Sequence, residues 1–340
     1  MRFKPKTCIA TSETLRRFSL VLLCMGVLSV LLILLSFGVG YYDLPIWQVI
    51  PTLLGGDDTS MRVLMVRLPR IVAAFAIGAA LAVSGSAYQG MFKNPLVSPD
   101  ILGVSAGAGF GAALAITMGL PYYVVQAVAF GFGILSVLLC YAAAGRVRVG
   151  QTVSLILAGT MIQTLANALT TMLKYIADPS DTLPSITFWL MGSLRKVDME
   201  ALKFALLPMA VGFAILMLMR YRLNVLTLGD DEARSMGVDP RRIRMVAIVG
   251  ATLLSASAVC MGGLIGFVGL MIPHIARWLV GPQYGRLLPV ACLMGGCYLL
   301  VMDDIARAAM TMEIPLGVMT AVVGAPFFLY LITRQGRGGA

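Results

Sequence analysis

The chain has 340 residues, of which 59% are hydrophobic and only 12% charged, and its mean hydropathy is +0.89. Soluble globular proteins carry about twice that share of charged residues, so the composition indicates a membrane protein. The six cysteines form no C-x-x-C pair and there is one histidine, which excludes a disulfide framework and a multi-histidine metal site. The net charge of +10 fits either nucleic-acid binding or a membrane topology signal, and the positions of the basic residues decide between them.

Ten segments are apolar and long enough to be membrane-spanning helices, for which roughly 20 residues are needed. They predict an all-α polytopic membrane protein with a single transmembrane domain, 1–340. The first apolar run follows a basic leader, but it exceeds the ~7–15-residue core of a signal peptide and lacks a small-x-small cleavage site, so we expect a span. The ten segments are 18–40, 69–91, 100–118, 121–144, 151–176, 200–220, 243–262, 264–280, 287–306 and 315–333.

Basic residues concentrate on the side of the membrane that holds the N-terminus. By the positive-inside rule, we expect both termini in the cytoplasm and the protein in the cytoplasmic (inner) membrane. The segments 1–17 and 221–242 are then cytoplasmic, and 177–198 is external. Within the external segment, Asp181 and Gly192 predict the start and stop of a short helix. The positive charge is therefore a topology signal, with the lipid bilayer and not nucleic acid as the partner.

Two arginines, Arg67 and Arg70, are predicted on the first turn of the second span, at its outer end. Cations there oppose both the charge bias and the helix dipole, which favours anions at this end. Such a costly placement indicates an acidic partner outside the membrane. The alternative is that both side chains reach lipid phosphates.

Three glycines, Gly103, Gly107 and Gly111, repeat every four residues in the third span. One face of that helix is therefore bare backbone. Such a face either packs tightly against a neighbouring helix or lines a pathway.

A densely charged run, Leu228–Arg244, interrupts the apolar sequence. Asp230 or Asp231 can cap the N-terminus of a first short helix, and Glu232 is favourable in its opening turn. Gly237 then occupies the left-handed position that commonly follows a helix.

A second helix is predicted to restart at Asp239 and Pro240, with the cap first and proline at the first helical position. The result is a compact, charged elbow between two spans on the cytoplasmic side. It suits a rigid contact surface for a soluble partner. An ordinary solvated loop that joins two spans is the alternative.

The sequence contains no G-x-x-x-x-G-K-[ST] motif, so this chain does not bind ATP through a P-loop and is not predicted to be an enzyme. A secondary transporter driven by an ion gradient is a rival class, and it would place unpaired acids or a histidine relay near the midplane. Asp303 and Asp304 instead lie four and three residues before Arg307, which can neutralise them. His274 alone is best explained as a packing residue.

The chain resembles the FecCD family, the permease subunits of type II ABC importers for iron–siderophores, haem and cobalamin. The resemblance covers about residues 20–334. It is carried by Arg67-Leu68-Pro69-Arg70; Ser84-Gly85 with Gln89; Asn94-Pro95-Leu96; Gly103-Val104-Ser105-Ala106-Gly107-Ala108; Gly229 with Ala233 and Met236-Gly237-Val238; Gly266-Phe267-Val268-Gly269-Leu270 with Pro273-His274; and Pro315-Leu316-Gly317-Val318 with Gly324-Ala325-Pro326.

The resemblance implies a homodimer with ten helices per subunit, two copies of a cytoplasmic ABC ATPase that bind ATP and Mg, and an external or periplasmic substrate-binding protein. No cofactor is expected on this chain. In the family, the elbow between the sixth and seventh spans docks on the ATPase. The residues here at that position are Asp230, Asp231, Glu232, Ala233, Arg234, Met236, Gly237 and Val238.

The resemblance also implies that Arg67, Arg70 and Arg307 meet acidic residues of the binding protein. It places the pathway mainly along the fifth and tenth spans. By position before the Leu157-Ala158-Gly159 match, its cytoplasmic gate falls on Thr152 and Val153. The glycines implied to line the pathway or pack beside it are Gly103, Gly107, Gly111 and Gly159.

The cargo does not follow from the residues. We expect an iron chelate, either a ferric siderophore or haem, because these are the commonest cargo of the family. Cobalamin, another bulky metal chelate or an oxyanion is the alternative within the same machinery.

Overall fold

The computed structural model describes residues 12–39, 58–146, 150–309 and 313–337. This part of the chain is built from helices and contains no strand. A short 3₁₀ turn, Pro99–Leu102, precedes α3. The helices are α1 Ser12–Gly38, α2 Asp58–Met91, α3 Val104–Thr117, α4 Tyr122–Ala144, α5 Gln151–Ile176, α6 Thr182–Met191, α7 Met199–Leu228, α8 Asp230–Ser235, α9 Pro240–Gly262, α10 Val268–Val280, α11 Tyr284–Ala308 and α12 Leu316–Arg337.

The all-α membrane fold expected from the sequence is confirmed. Seven of the described helices (α1, α2, α4, α5, α7, α9 and α11) are long and apolar enough to cross a membrane. The shorter apolar helices α3, α10 and α12 occupy the remaining segments that were predicted as spans. Residues 1–11 of the predicted N-terminal segment lie outside the described residues, and α1 begins at Ser12.

Three boundaries differ from the sequence prediction. The second span begins at Asp58, so Arg67 and Arg70 lie in the third and fourth turns of α2, and the argument from a first-turn dipole was wrong. α7 continues to Leu228, which shortens the elbow to the residues before α9. α10 begins only at Val268, because the glycine-containing segment before it is not helical.

α2 is the central helix, packed against α11, α9, α10 and α7. Its backbone crosses two neighbours at very close range. A Cβ added at Gly78 would collide with the carbonyl oxygen of Gly295 in α11, and one added at Gly85 would collide with the carbonyl of Gly269 in α10. Glycine is required at these crossings because any side chain would push the helices apart.

The two ends of the helix bundle carry the two short helices, and we name them the α6 end and the α8 end. At the α6 end, backbone bonds join three segments: Ser193 N donates to Gly262 O at 3.0 Å, and Leu316 N donates to Gly192 O at 2.9 Å. At the α8 end, Asn224 near the end of α7 accepts from the backbone N of Tyr284 at 2.8 Å. These bonds fix α6 and the start of α12 at one end, and α7 against α11 at the other.

Candidate functional surfaces

The elbow at the α8 end is a short helix closed by a glycine. Gly237 has φ 75°, and Gly237 N donates to Arg234 O at 2.9 Å while Val238 N donates to Ala233 O at 3.0 Å. This pair of bonds is the Schellman arrangement, which satisfies carbonyls at a helix C-terminus. The predicted left-handed position of Gly237 is confirmed.

The starts of the two elbow helices follow the prediction only in part. Asp239 caps α9 by accepting from the backbone N of Arg241 at 2.9 Å, as predicted. The predicted cap by Asp230 or Asp231 is wrong, because the N-cap of α8 is Gly229, and both aspartates lie inside the first turn. Their carboxylates still favour that end of the helix through its dipole.

One ion pair, between a buried arginine and a partly exposed aspartate, attaches α8 to the membrane helices. Arg244 of α9, only 2% exposed, donates to Asp230 Oδ1 at 3.0 Å. Ala233, on the inner side of α8, is fully buried. Asp231, Arg234 and Met236 point to solvent from the same elbow. α8 therefore has a fixed inner side and a free, mixed-charge outer side.

A cluster of six charged side chains lies at the α6 end. Arg70 donates to both oxygens of Asp303, at 2.9–3.2 Å, and reaches Glu313 at 2.9 Å. Arg307 lies 3.1 Å from the other side of Asp303 and also pairs with Asp304. Asp303 is fully buried, and its carboxylate is shared between the guanidinium groups of Arg70 and Arg307. The neutralisation of the two aspartates by Arg307 is confirmed.

The remaining member of the cluster, Arg67, is 7% exposed and donates to the carbonyl of Phe37 at the end of α1. The three arginines predicted to meet a binding protein thus have partners within their own chain. Sequence reasoning missed the pairing of Arg70 with Asp303 because the two residues are far apart along the chain. The short spacing of Asp303, Asp304 and Arg307 was the only local signal.

α5 presents an apolar helix face interrupted by polar side chains. Thr160, Thr164, Asn167 and Thr171 are exposed and follow one another at helical spacing. Between Thr152 and the last turn of this helix there is no charged residue.

The two residues predicted at the gate lie at the start of the same helix, toward the α8 end. Val153 is exposed and Thr152 half-buried. Both therefore share a surface of the chain with the exposed threonines.

The glycines of α3 pack against helices. A Cβ added at Gly107 would collide with Ser136, and one added at Gly111 would meet Phe132, both on α4. Gly103 and Gly159 bring the 3₁₀ turn and α5 together in the same way. Of the two possibilities left open by the sequence, tight packing is the one seen for these glycines.

A buried polar seam along α2 was not recognised from the sequence. Ser84 accepts from Ser255 at 3.1 Å, and Tyr88 bonds to Thr252 at 3.3 Å. The amide of Gln89 donates to the carbonyl of Leu270 at 3.2 Å.

The seam continues toward the α8 end through two further bonds. Arg277 of α10 donates to the side-chain oxygen of Gln89, and Tyr284 Oη donates to the carbonyl of Ser86 at 2.9 Å. Each side chain taken singly looks like a stray polar residue in an apolar span. Only their three-dimensional pairing reveals a network.

His274 packs its ring edge-to-face on Trp278, with 4.9 Å between ring centroids. Its Nε2 is buried and makes no hydrogen bond within the described part of the chain. Among the described residues no group of three or more His, Cys, Asp or Glu is placed to hold a metal ion.

The described part of the chain is a polytopic helical bundle with a charged elbow between two long apolar helices, and comparison with known proteins identifies its family. Residues 28–334 match the model of the FecCD transport family. The chain belongs to this family, and it is an ABC importer permease.

Two relatives and one solved structure illustrate the similarity. The chain is 39% identical over 328 residues to the molybdate import system permease protein MolB of Haemophilus influenzae, covering 94% of this chain and 97% of MolB. It is 40% identical over 301 residues to the cobalamin import system permease protein BtuC of Halobacterium salinarum, covering 87% and 80%. A solved inward-facing structure, assigned to the metal-chelate type of ABC transporter, matches with a TM-score of 0.84 at 37% identity, covering 93% of this chain and 99% of that one.

Proposed function

We propose that this chain is the permease subunit of an importer that moves an iron chelate across the cytoplasmic membrane by ATP-driven alternating access. Two copies of the chain form the pathway, and two copies of a separate ABC ATPase supply the energy. The observation that carries the proposal is the elbow at the α8 end, which is anchored inside by Arg244 and charged outside. A surface that is both rigid and exposed suits the transmission of a conformational change from a soluble partner.

The α8 end is proposed to face the cytoplasm, together with both termini. The arginines of the elbow and of the ends of α7 and α10 support this orientation, because basic residues near helix ends favour the cytoplasmic side. The segment 177–198, with α6, then lies outside. Cysteines at Arg234 and Ser180, which are both exposed, would test the orientation by labelling with an impermeant thiol reagent from each side of intact cells.

The exposed face of α5 is proposed to line the pathway at the two-fold axis of the homodimer, with Thr152 and Val153 at its cytoplasmic gate. Four polar side chains on a helix that spans the membrane support this assignment, because polar groups in spans face a water-filled path or another helix more readily than lipid. The pathway and the dimer are tested together by the cross-linking experiment in the Discussion.

The binding protein is proposed to dock at the α6 end through Arg67, Arg70 and Arg307. Because Arg70 and Arg307 already have carboxylate partners within the chain, a docking acid must compete with a carboxylate already in place. Glu313 is the carboxylate that a docking acid can displace from Arg70, since 32% of the Glu313 side chain is exposed whereas Asp303 is fully buried. Arg70 is therefore the arginine that a docking carboxylate reaches first.

The cargo is proposed to be an iron chelate, a ferric siderophore or haem. The similarity to a structure of metal-chelate type supports this class, while MolB and BtuC are named for molybdate and cobalamin. Binding of a panel of iron chelates, haem, cobalamin and molybdate to the cognate binding protein decides the cargo. Tight binding of molybdate alone would replace the iron chelate by the oxyanion.

The rival mechanism, an ion-gradient transporter, predicts a different energy source. The complex of this chain with its ATPase is reconstituted in vesicles, with ATP supplied on the side of the membrane that carries the ATPase. We expect it to transport cargo, and to continue when ionophores collapse all ion gradients. Uptake that stops with the ionophores and proceeds without ATP would instead establish the rival.

A further inference from the structure

The backbone between α2 and α3 re-enters the bundle beside α5 without forming an α-helix. The carbonyl of Ile101 lies against Gly159, and Gly103 lies against the backbone of Gln163. Gly159 and Gln163 are about 12 and 18 Å from the start of α5, at a rise of about 1.5 Å per residue. The 3₁₀ turn Pro99–Leu102 is therefore near the middle of a bilayer whose core is about 30 Å thick.

A second set of contacts gives a similar depth. Pro99 packs against Gly269 at the start of α10, and Gly269 in turn meets Gly85 of α2. Gly269 is about 16 Å from the end of α10, and Gly85 is about 9 Å from the end of α2, both measured toward the α8 end. The positions of these contacts along α2, α5 and α10 thus all indicate that the turn lies well inside the membrane.

A cavity of about 390 Å³ opens beside this turn. Its polar lining consists of Asn94, Ser98, Asp100 and Gln163, and Ile156 contributes to the apolar wall. The volume corresponds to roughly a dozen water molecules at ~30 Å³ each, so the cavity takes a small ion with its water or one part of a larger chelate.

Among the described residues that line this cavity, Asp100 is the single acidic or basic side chain. Its carboxylate accepts hydrogen bonds from the hydroxyls of Ser105 and Ser98. No lysine, arginine or histidine among the described residues forms an ion pair with it. The amide of Gln163 likewise makes no hydrogen bond in this part of the chain. Unpaired ionisable groups at membrane depth are costly, and non-helical backbone there is tolerated where it lines a water-filled space.

The cavity is continuous with the exposed polar face of α5. Ile156 and Gln163 lie four residues before and three after Thr160, which places all three on neighbouring parts of the helix surface. The hydroxyls of Thr160 and Thr164 donate to carbonyls of their own helix, at 2.9 and 2.8 Å. Their outward oxygens therefore act as acceptors, so the region offers acceptors and a negative charge.

We propose that the cavity at Asp100 is a selectivity site on the translocation path, which favours cargo bearing positive charge or N–H and O–H donors and disfavours free oxyanions such as molybdate. The inference rests on the proposed function, in which the α5 face lines that path. A carboxylate repels a dianion, and acceptor oxygens cannot replace the hydrogen bonds that water donates to it. A metal chelate that carries N–H or O–H donors can form hydrogen bonds with the same acceptor oxygens.

The test needs no knowledge of the cargo. Cysteine replaces Gln163 in a chain whose six natural cysteines have been changed to serine, and the complex with its ATPase is reconstituted in vesicles. The rate at which this cysteine reacts with a cationic and with an anionic methanethiosulfonate reagent is measured in each nucleotide state. Each rate is divided by the rate of the same reagent with a small thiol in solution. We expect a preference for the cationic reagent of about tenfold or more, equivalent to about 1.4 kcal/mol. Asp100→Asn should remove most of it.

Ser105→Ala is the matched control, since it removes a hydrogen bond of Asp100 and leaves the charge. It should keep the preference. If it abolishes the preference as fully as Asp100→Asn does, the carboxylate acts only by shaping the turn, and the selectivity site is rejected.

A preference that survives Asp100→Asn also overturns the proposal. So does the absence of modification at both Gln163→Cys and Ile156→Cys in every nucleotide state. In these cases ATP-driven uptake by the parent complex still stands, so the failure is distinct from failure of the proposed function.

Discussion

Arg244 of α9 donates from Nη2 to Oδ1 of Asp230 in α8, at 3.0 Å, with its side chain almost fully buried. The pair crosses the turn between two helices, so α8 moves with α9 and does not swing as a loose loop. Removing Asp230 takes one hydrogen-bond acceptor from a buried guanidinium group, which costs more than the loss of an exposed ion pair. The elbow can therefore be tested at its anchor separately from its exposed surface.

Asp230→Ala should loosen α8 and raise the number of ATP molecules hydrolysed per cargo imported. We expect a loss of roughly 1–3 kcal/mol in the free energy of unfolding, because the buried arginine keeps its charge. Asp231→Ala is the matched control, since its pair with Arg234 is exposed and worth ~0.2–1 kcal/mol at most. Thermal unfolding of the complex and coupled transport assays measure the two effects. Equal behaviour of the variants would show that the pair of Asp230 with Arg244 is not the anchor.

Gly237 should tolerate asparagine better than valine. The position has φ 75° and open space around it, so substitution costs conformational energy and not a collision. A valine at this position should cost roughly 1–2 kcal/mol and tilt α8, whereas asparagine adopts the left-handed region more readily. Co-purification with the ATPase is expected to fall for Gly237→Val and to persist for Gly237→Asn. Full association of the valine variant, with normal uptake, would exclude α8 as the coupling surface.

Glu313→Gln should strengthen docking of the binding protein. It removes the exposed carboxylate that competes for Arg70, while the buried Asp303 still holds the arginine in place. The gain should appear in the association rate and shrink as salt is raised. Charge reversal at Arg67 and Arg70 is a poorer test, since a glutamate in place of Arg70 would put a negative charge against the buried Asp303. Weaker binding by Glu313→Gln, in a protein of normal stability, would show that Glu313 itself contacts the partner.

Asp303→Asn should be among the most destabilising single substitutions in the chain. Two arginines share this fully buried carboxylate, so neutralising it leaves excess positive charge in the bundle. A loss of about 3–5 kcal/mol is expected, as for other broken buried pairs. Thermal unfolding in detergent measures it, with the exposed Asp231→Asn as reference. A change as small as the reference would mean that water reaches the cluster.

Cysteines at Thr152 and Val153 should cross-link between two subunits in at least one nucleotide state. Both lie at the start of the α5 face that is proposed to meet its symmetry mate. Tyr123→Cys on α4 is the negative control, because Tyr123 is exposed but lies on another helix. Cross-linking at Tyr123 without any at Thr152 or Val153 would place the dimer axis elsewhere.

The sequence predicts local features well and distant pairings poorly. Hydropathy locates the spans, and Gly237 and Asp239 mark the elbow because capping depends on neighbouring residues only. The start of α2 at Asp58 was missed because its first two turns are too polar to look like a span. The ion pair between Arg70 and Asp303 was missed because nothing local indicates which acid an arginine will meet. The family resemblance proposes residues for docking and gating, and it does not indicate how those residues are held within the chain.

The burial of α2 has a consequence for how the protein is made. Tyr88 and Gln89 of this second helix bond to groups of α9 and α10, whereas Ser84 also donates to the carbonyl of Leu81 in its own helix. Those helices are synthesised more than 160 residues later. During that interval the hydroxyl of Tyr88 and the amide of Gln89 lack the partners that they have in the folded protein. A chain interrupted before α9 is therefore left with an incomplete polar interior.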